Sequence, residues 1–222
     1  MQAKTRVWSL GLGVRRLCAR VRSALLLGGG LALALGTGGC AVFSPKDDPT
    51  RFFVLSAPTA IQAPAPADAP SLSVRPVELA NYLRGRPLIV RQDDNEIEFR
   101  DFARWGETLE QGVARVLREE LIARGAAGTV AIPGTRIANR RIDFELTVRV
   151  LACEGRSDGT VNFRALWELS PFANRTAVIA RGDFQAADLK WDAASESALV
   201  AQMSQAVAGL AGEVAAALGK QD

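Results

Sequence analysis

The chain contains no histidine among its 222 residues. That removes the base of a Ser-His-Asp or Cys-His nucleophile and every histidine-ligated zinc site. Cysteine is almost as scarce, with only Cys18, Cys40 and Cys153. Glycine-rich phosphate loops are missing too. Gly11-Leu12-Gly13 and Gly28 to Gly30 lie in the N-terminal segment, and neither follows a strand. The longest apolar run, Ala24 to Leu35, holds only Ala, Leu and Gly. It is shorter than the roughly 20 residues a transmembrane helix needs, and its glycines weaken it as a helix. No internal repeat is evident.

What precedes and follows that run is informative. Lys4, Arg6, Arg15, Arg16, Arg20 and Arg22 come before it with no acid among them, and small residues lead into Cys40. Basic region, apolar core and small-residue cleavage site make a secretory signal peptide over residues 1–39. Thr37-Gly38-Gly39-Cys40 resembles the bacterial lipobox, usually Leu-Ala-Gly-Cys, with Leu35 one place further back. Processing there would acylate Cys40 and leave it as the new N-terminus. Ordinary cleavage nearby, or an uncleaved anchor, is the competing reading. Several acyl chains, at about 0.8 kcal/mol per buried methylene, would hold the protein on a bilayer. Residue 41 is Ala rather than the Asp that often retains lipoproteins at the inner membrane, which favours the outer membrane, periplasmic face.

Cleavage reverses the charge. The precursor has 27 basic and 24 acidic residues, and six of the basic ones leave with the signal. The basic pI therefore belongs to the precursor, and no nucleic-acid partner is expected. If Cys40 is acylated, Cys153 stands alone and the exported fold must be held by its core, without an intramolecular disulfide.

Residues 40–50 are expected to form a lipidated N-terminus and tether, reaching on the order of 35 Å when extended. Residues 51–222 are expected to form one globular domain. Arg51 to Ser56 reads as a first strand, and Ala57 to Pro70 as a Pro/Ala-rich loop. Ser71 to Leu79 reads as a strand interrupted by Pro76. Pro87 to Arg91 and Asn95 to Arg100 should pair as a hairpin. A helix is predicted from near Arg104, with Trp105, Leu109, Val113, Val116, Leu117 and Leu121 on one face and Gly125 at its end. Thr129 to Pro133 is a short strand. Arg141 to Val150 and Thr160 to Leu169 alternate strictly and should form a long hairpin, joined by Thr176 to Ala187. A second helix, Ala193 to Leu218, closes the chain, and its Gly209 and Gly212 should let it approach the sheet. The pattern is α+β: a two-layer domain, predominantly antiparallel, with two main helices packed on one face.

Little chemistry is on offer. Cys153 would need Arg149 or Arg156 to lower its pKa, and reads more simply as a small, partly buried residue. Asp93, Asp94, Glu96 and Glu98 lack the spacing and glycine of a calcium loop, and read as a solvated hairpin end. Neither catalytic residues nor a metal or cofactor are expected. Arg84, Arg86 and Arg91, beside Tyr82, form a basic group that either meets lipid head groups or a partner's acids, or pairs with nearby acids to fix a turn. A helix over a sheet could also line an apolar cleft.

Two stretches are ordered in a familiar way. Val77 to Arg91 runs Tyr82-Leu83, then Arg86-Pro87, then Ile89-Val90-Arg91. Phe102 to Leu109 runs Trp105-Gly106-Glu107-Thr108-Leu109. Together they resemble the PqiC-type ABC-transport auxiliary lipoproteins across nearly all of the mature chain. Gly85 stands where the family often has Asp, Gly106 where it often has Ala, and Glu78-Leu79-Ala80 where Leu-Pro is frequent. The resemblance implies a non-enzymatic lipoprotein at the outer membrane. Its partners would be an MCE-domain protein, whose tunnel carries lipid between membranes, and the associated ABC transporter. Tyr82, Leu83, Pro87, Trp105, Glu107 and Leu109 carry the signature and read first as structural. Arg84, Arg86 and Arg91 are the candidates for a partner surface. The alternative is a structural or assembly-factor envelope lipoprotein without a transport role. A carboxylate-based glycan hydrolase would require two acids facing a cleft. The alternating strands also leave an edge at which a second copy could pair.

Overall fold

The computed structural model describes residues 47–57, 65–132 and 141–220. Cys40 and half of the Pro/Ala-rich stretch, residues 58–64, lie outside them. Among the described residues nine strands form one mixed sheet: β1 (Arg51–Phe53), β2 (Ser71–Val74), β3 (Glu78–Leu79), β4 (Pro87–Arg91), β5 (Ile97–Trp105), β6 (Thr129–Ala131), β7 (Phe144–Arg156), β8 (Val161–Pro171) and β9 (Ala180–Gln185). Two helices, α1 (Leu109–Ala123) and α2 (Glu196–Leu218), complete the layers. A 3-10 turn, Asn81–Arg84, joins β3 to β4.

β7 is the spine. One of its edges takes β8 antiparallel along almost its whole length, and β9 follows antiparallel on β8. Its other edge takes β2, β3 and β4 in succession, all parallel and each for two or three residues. β4 continues antiparallel to β5, and β5 parallel to β1, while β6 lies parallel on β2. The long ladders are the antiparallel ones, as the alternating pattern predicts. The short parallel joints leave no such mark, because each involves too few residues to show a period.

Strand β7 runs further than its alternation suggests. Leu146, Val148 and Val150 face the helices and have no exposure. The register then shifts between Val150 and Ala152. This bulge reverses the faces, so Cys153 and Gly155 point toward the helices and Glu154 away from them. An added Cβ on Gly155 would lie 2.8 Å from Trp191 and 3.1 Å from Leu199 of α2. The glycine therefore lets the start of α2 close on the sheet.

Trp105 belongs to a strand rather than to the first helix. It ends β5 opposite Phe53, and α1 starts only at Leu109. The Thr108 hydroxyl caps α1, accepting from the backbone N–H of Gln111. Helical spacing placed Trp105 on the same stripe as Leu109 because both are buried, though on different elements. At the far end Gly125 has φ +67°. Its N–H donates to Ile122 and that of Ala126 to Leu121, a Schellman closure. Leu109, Val113, Val116, Leu117 and Leu121 are buried in the core. α2 is capped by Ser195, whose side chain accepts from Ala198. Its Gly209 sits against Phe184 of β9, and Gly212 against Arg124 of α1, so only the first of these glycines serves approach to the sheet. Between the helices, Glu120 has no exposure and Arg124 bonds both its carboxylate, at 3.1 Å, and the carbonyl of Ala208, at 3.2 Å.

Gly155→Ala is expected to destabilise the fold by about 1–3 kcal/mol, as overpacking does in a filled core. A urea titration followed by tryptophan fluorescence would show a lower midpoint with an unchanged slope.

Candidate interaction site

The turn of Asn81–Arg84 carries two exposed arginines, Arg84 and Arg86, around Gly85. Neither makes an ion pair among the described residues. What surrounds them is a frame that fixes the turn from both sides.

The first side is a buried carboxylate. Glu154 has no exposure, and three groups converge on it. The Tyr82 hydroxyl donates to its Oε2 at 2.6 Å and lies 3.2 Å from the carbonyl of Leu151 at the bulge. Arg91 Nε donates to Oε1, as does Asn162 Nδ2 at 3.0 Å. The Arg91 guanidinium also stacks near the Tyr82 ring, 5.8 Å from its centre, and donates to the carbonyl of Asp94 at 3.1 Å. Burial, with the Glu154 carboxylate adding to it, holds the Tyr82 phenol well above its ordinary range. The hydrogen bond to Glu154 is the main reason that Arg91 is raised as well. Charge-assisted bonds of this kind satisfy a carboxylate that burial would otherwise penalise heavily.

The second side is the joint between β5 and α1. The Trp105 N–H donates to the carbonyl of Arg86 at 2.7 Å, and the Gly106 N–H to that of Phe53 at 2.8 Å. Glu107 accepts from Arg115 at 2.5 Å, and the same guanidinium donates to the carbonyl of Leu55 at 2.6 Å. Leu83, Trp105 and Leu109 are buried, while Pro87 is half-buried at the strand entry, opposite Arg104. Thus Tyr82, Leu83, Pro87, Trp105, Glu107 and Leu109 act as fasteners between elements.

Of the three candidate arginines, the structure leaves Arg84 and Arg86 facing solvent and turns Arg91 inward onto Glu154. Glu154 and Asn162 were not singled out in the sequence. An acid four residues beyond the end of clean alternation at Val150 was the available signal, but the bulge that buries it has no local signature.

The remaining sequence candidates resolve into structure. Burial pushes the Cys153 thiol up to about 12, helped by the neighbouring Glu154 charge, so it carries no thiolate near neutral pH. Asp93 caps its own turn, accepting from the backbone N–H of Asn95 and Glu96. Glu98 pairs with Arg100 at 3.1 Å. Among the described residues no group of three His, Cys, Asp or Glu could hold a metal ion, and no helix is long and apolar enough to cross a membrane. A cleft of about 570 Å³ opens where α1 starts, lined by Pro76, Val77, Gln111, Ala114 and Ile132, with the paired Glu107 and Arg115 at its side.

The model of the ABC-type transport auxiliary lipoprotein component matches residues 53–215. The chain belongs to that family. This is a family of transport auxiliary lipoprotein components and not a known enzyme family, and its lipoprotein character suggests a membrane-anchored place in the envelope. The match spans β2 to α1, and with them every fastener described above. Solved structures of similar fold include the crystal structure of an uncharacterized protein. That one is 19% identical with a TM-score of 0.59, covering 75% of this chain and 97% of its own. Protein XCC0632 from Xanthomonas campestris is 18% identical with a TM-score of 0.61, covering 78% and 98%. A PelC dodecamer from Paraburkholderia phytofirmans is more distant, at 15% identity and a TM-score of 0.40, covering 71% and 93%. No curated protein matches the sequence.

Arg91→Ala would leave the Glu154 charge buried and uncompensated, and should cost about 3–5 kcal/mol. Tyr82→Phe removes one donor and should cost about 1–3 kcal/mol. Denaturant unfolding of both variants beside Arg84→Ala, expected to stay near the parent, tests the division between frame and surface.

Cys153 also sets an alkaline limit. In the unfolded chain its thiol ionises near its ordinary value of 9.0, whereas the folded one keeps its proton to about 12. The unfolded state loses the proton first. Stability is therefore full below pH 9 and falls by about 1.4 kcal/mol per pH unit above it. Tyr82 adds a loss of the same sign above its ordinary value of 10.0. Urea midpoints between pH 7 and 11 should fall less steeply for Cys153→Ala than for the parent.

Proposed function

We propose that this protein is an outer-membrane lipoprotein, acylated on Cys40, that docks an MCE-domain partner of an intermembrane lipid-transport system. Family membership gives the coarser role, auxiliary to ABC-type transport. The finer reading rests on one observation. Arg84 and Arg86 stand exposed without ion-pair partners among the described residues, on a turn held rigid by two independent fastenings. A rigid pair of cations suits recognition of a partner's carboxylates, since little side-chain support must be ordered on binding. In this reading Cys40 and residues 41–50 hold the domain at the membrane while the turn meets the partner. Arg91 serves the surface indirectly, through Glu154.

C-terminally tagged protein, purified from gently solubilised membranes, should bring down an MCE-domain protein or its transporter, identified by mass spectrometry. The double variant Arg84→Glu/Arg86→Glu should lose that partner and keep its own abundance. Recovery of only cell-wall or outer-membrane assembly proteins would replace this reading with that of a structural envelope lipoprotein.

A further inference from the structure

We infer that the sheet edge formed by β1 and β5 lies against the lipid surface that carries the acylated Cys40. This rests on the lipoprotein reading proposed above and adds a second contact between protein and bilayer.

Six large hydrophobic side chains are notably exposed among the described residues, and four of them gather at this edge: Phe52 at 63%, Val54 at 54%, Phe99 at 47% and Phe102 at 57%. Strand parity puts them on the face away from the helices. Phe53 and Trp105 pair and are both buried, so Phe52 and Val54 point outward on either side of Phe53. Arg104 lies opposite Phe52, and Phe102 is two residues before it. Phe99 is opposite Ile89, which faces away from Val90 and Gly155. Gly106 completes the patch, since a Cβ there would come within 3.2 Å of Val54. Elsewhere only Leu166 and Val178 are comparably exposed. Scattered apolar residues need no explanation, but a contiguous aromatic patch marks a contact site.

The position of the patch in the chain selects its occupant. Phe52 follows Cys40 by twelve residues, a span of about 40 Å at full extension. The patch is the first folded element after the anchor, so it cannot stray further than that from the bilayer. Tethering makes a weak second contact intramolecular, so that modest affinity suffices for it to be occupied. Exposed Phe and branched aliphatic groups suit the boundary between head groups and acyl chains. Arg104, exposed between them, suits the phosphates. Among the acids of this edge, Glu98 pairs with Arg100 at 3.1 Å, while Asp101 is exposed and Arg104 donates to its backbone carbonyl at 3.4 Å rather than to its carboxylate. The cations Arg84 and Arg86 lie on the turn before β4, outside the patch.

The test uses full-length, membrane-purified protein in vesicles of phosphatidylethanolamine and phosphatidylglycerol, with and without brominated acyl chains. Val54→Cys and Phe102→Cys carry an environment-sensitive fluorophore, with Val178→Cys, just before β9 at the far edge of the sheet, as the control. Cys153 is buried and does not compete for label. Labels at 54 and 102 should be blue-shifted and quenched by brominated lipid several-fold more than the label at 178. Equal quenching at all three positions, or none, would overturn the inference. A blue shift without bromine quenching that grows with protein density would overturn it in favour of a second copy covering the edge. The intact mass separates the two layers of the argument. Acylated Cys40 with labels in water sinks this inference alone, whereas an unmodified Cys40 removes the anchor and the inference with it.

Discussion

A carboxylate shut away from water needs donors on every side, and Glu154 obtains them from three different parts of the chain. Tyr82 comes from the turn before β4, Arg91 from the end of β4, and Asn162 from β8. None of these meets Glu154 unless β7 is bulged at Leu151, since a regular strand would aim the acid at α2. The bulge, the buried acid and the phenol beside the bulge carbonyl therefore depend on one another. They also set where β4 can lie along β7, and through β4 where β5 and β1 follow. Removing one donor strands a charge, which explains why a network of modest net worth is costly to break.

The family signature acquires a physical meaning from this arrangement. Its residues are far apart in role but adjacent in space, around the same short turn. Tyr82 and Arg91 close it from beneath. Trp105, Glu107 and Leu109 close it from the side, by way of backbone bonds to Arg86 and Phe53 and the Arg115 bridge to Leu55. Such a frame presents Arg84 and Arg86 without using them. Presentation suits a domain whose buried Cys153 keeps its proton near neutral pH and in which Asp93, Asp94 and Glu98 are engaged in a turn and in ion pairs.

Much of the fold was legible because long periods survive in sequence. The alternation of Leu146, Val148 and Val150 against Phe163, Ala165, Trp167 and Leu169 identifies the longest hairpin, and the stripe from Leu109 to Leu121 identifies α1. Gly125 marked the end of α1 because few residues tolerate a positive φ. Other points were not legible. Trp105 read as helical because burial at helical spacing does not reveal on which element a residue sits. That Phe52 and Val54 face outward was not legible, because a run of apolar residues does not say which face is covered. Arg91 read as a surface cation because its partner is 63 residues away.

The sequence by itself determined most of the elements, their apolar faces and the lack of histidine, since composition and short-range periodicity act before the chain folds. It also carried the order of residues that marks the family. The tertiary structure decided which arginines remain free, which face of the sheet stays bare, and that an acid could be buried at Glu154. Those outcomes depend on long-range register and on a single bulge. Reversing a strand by one residue exchanges inside for outside without altering any local preference.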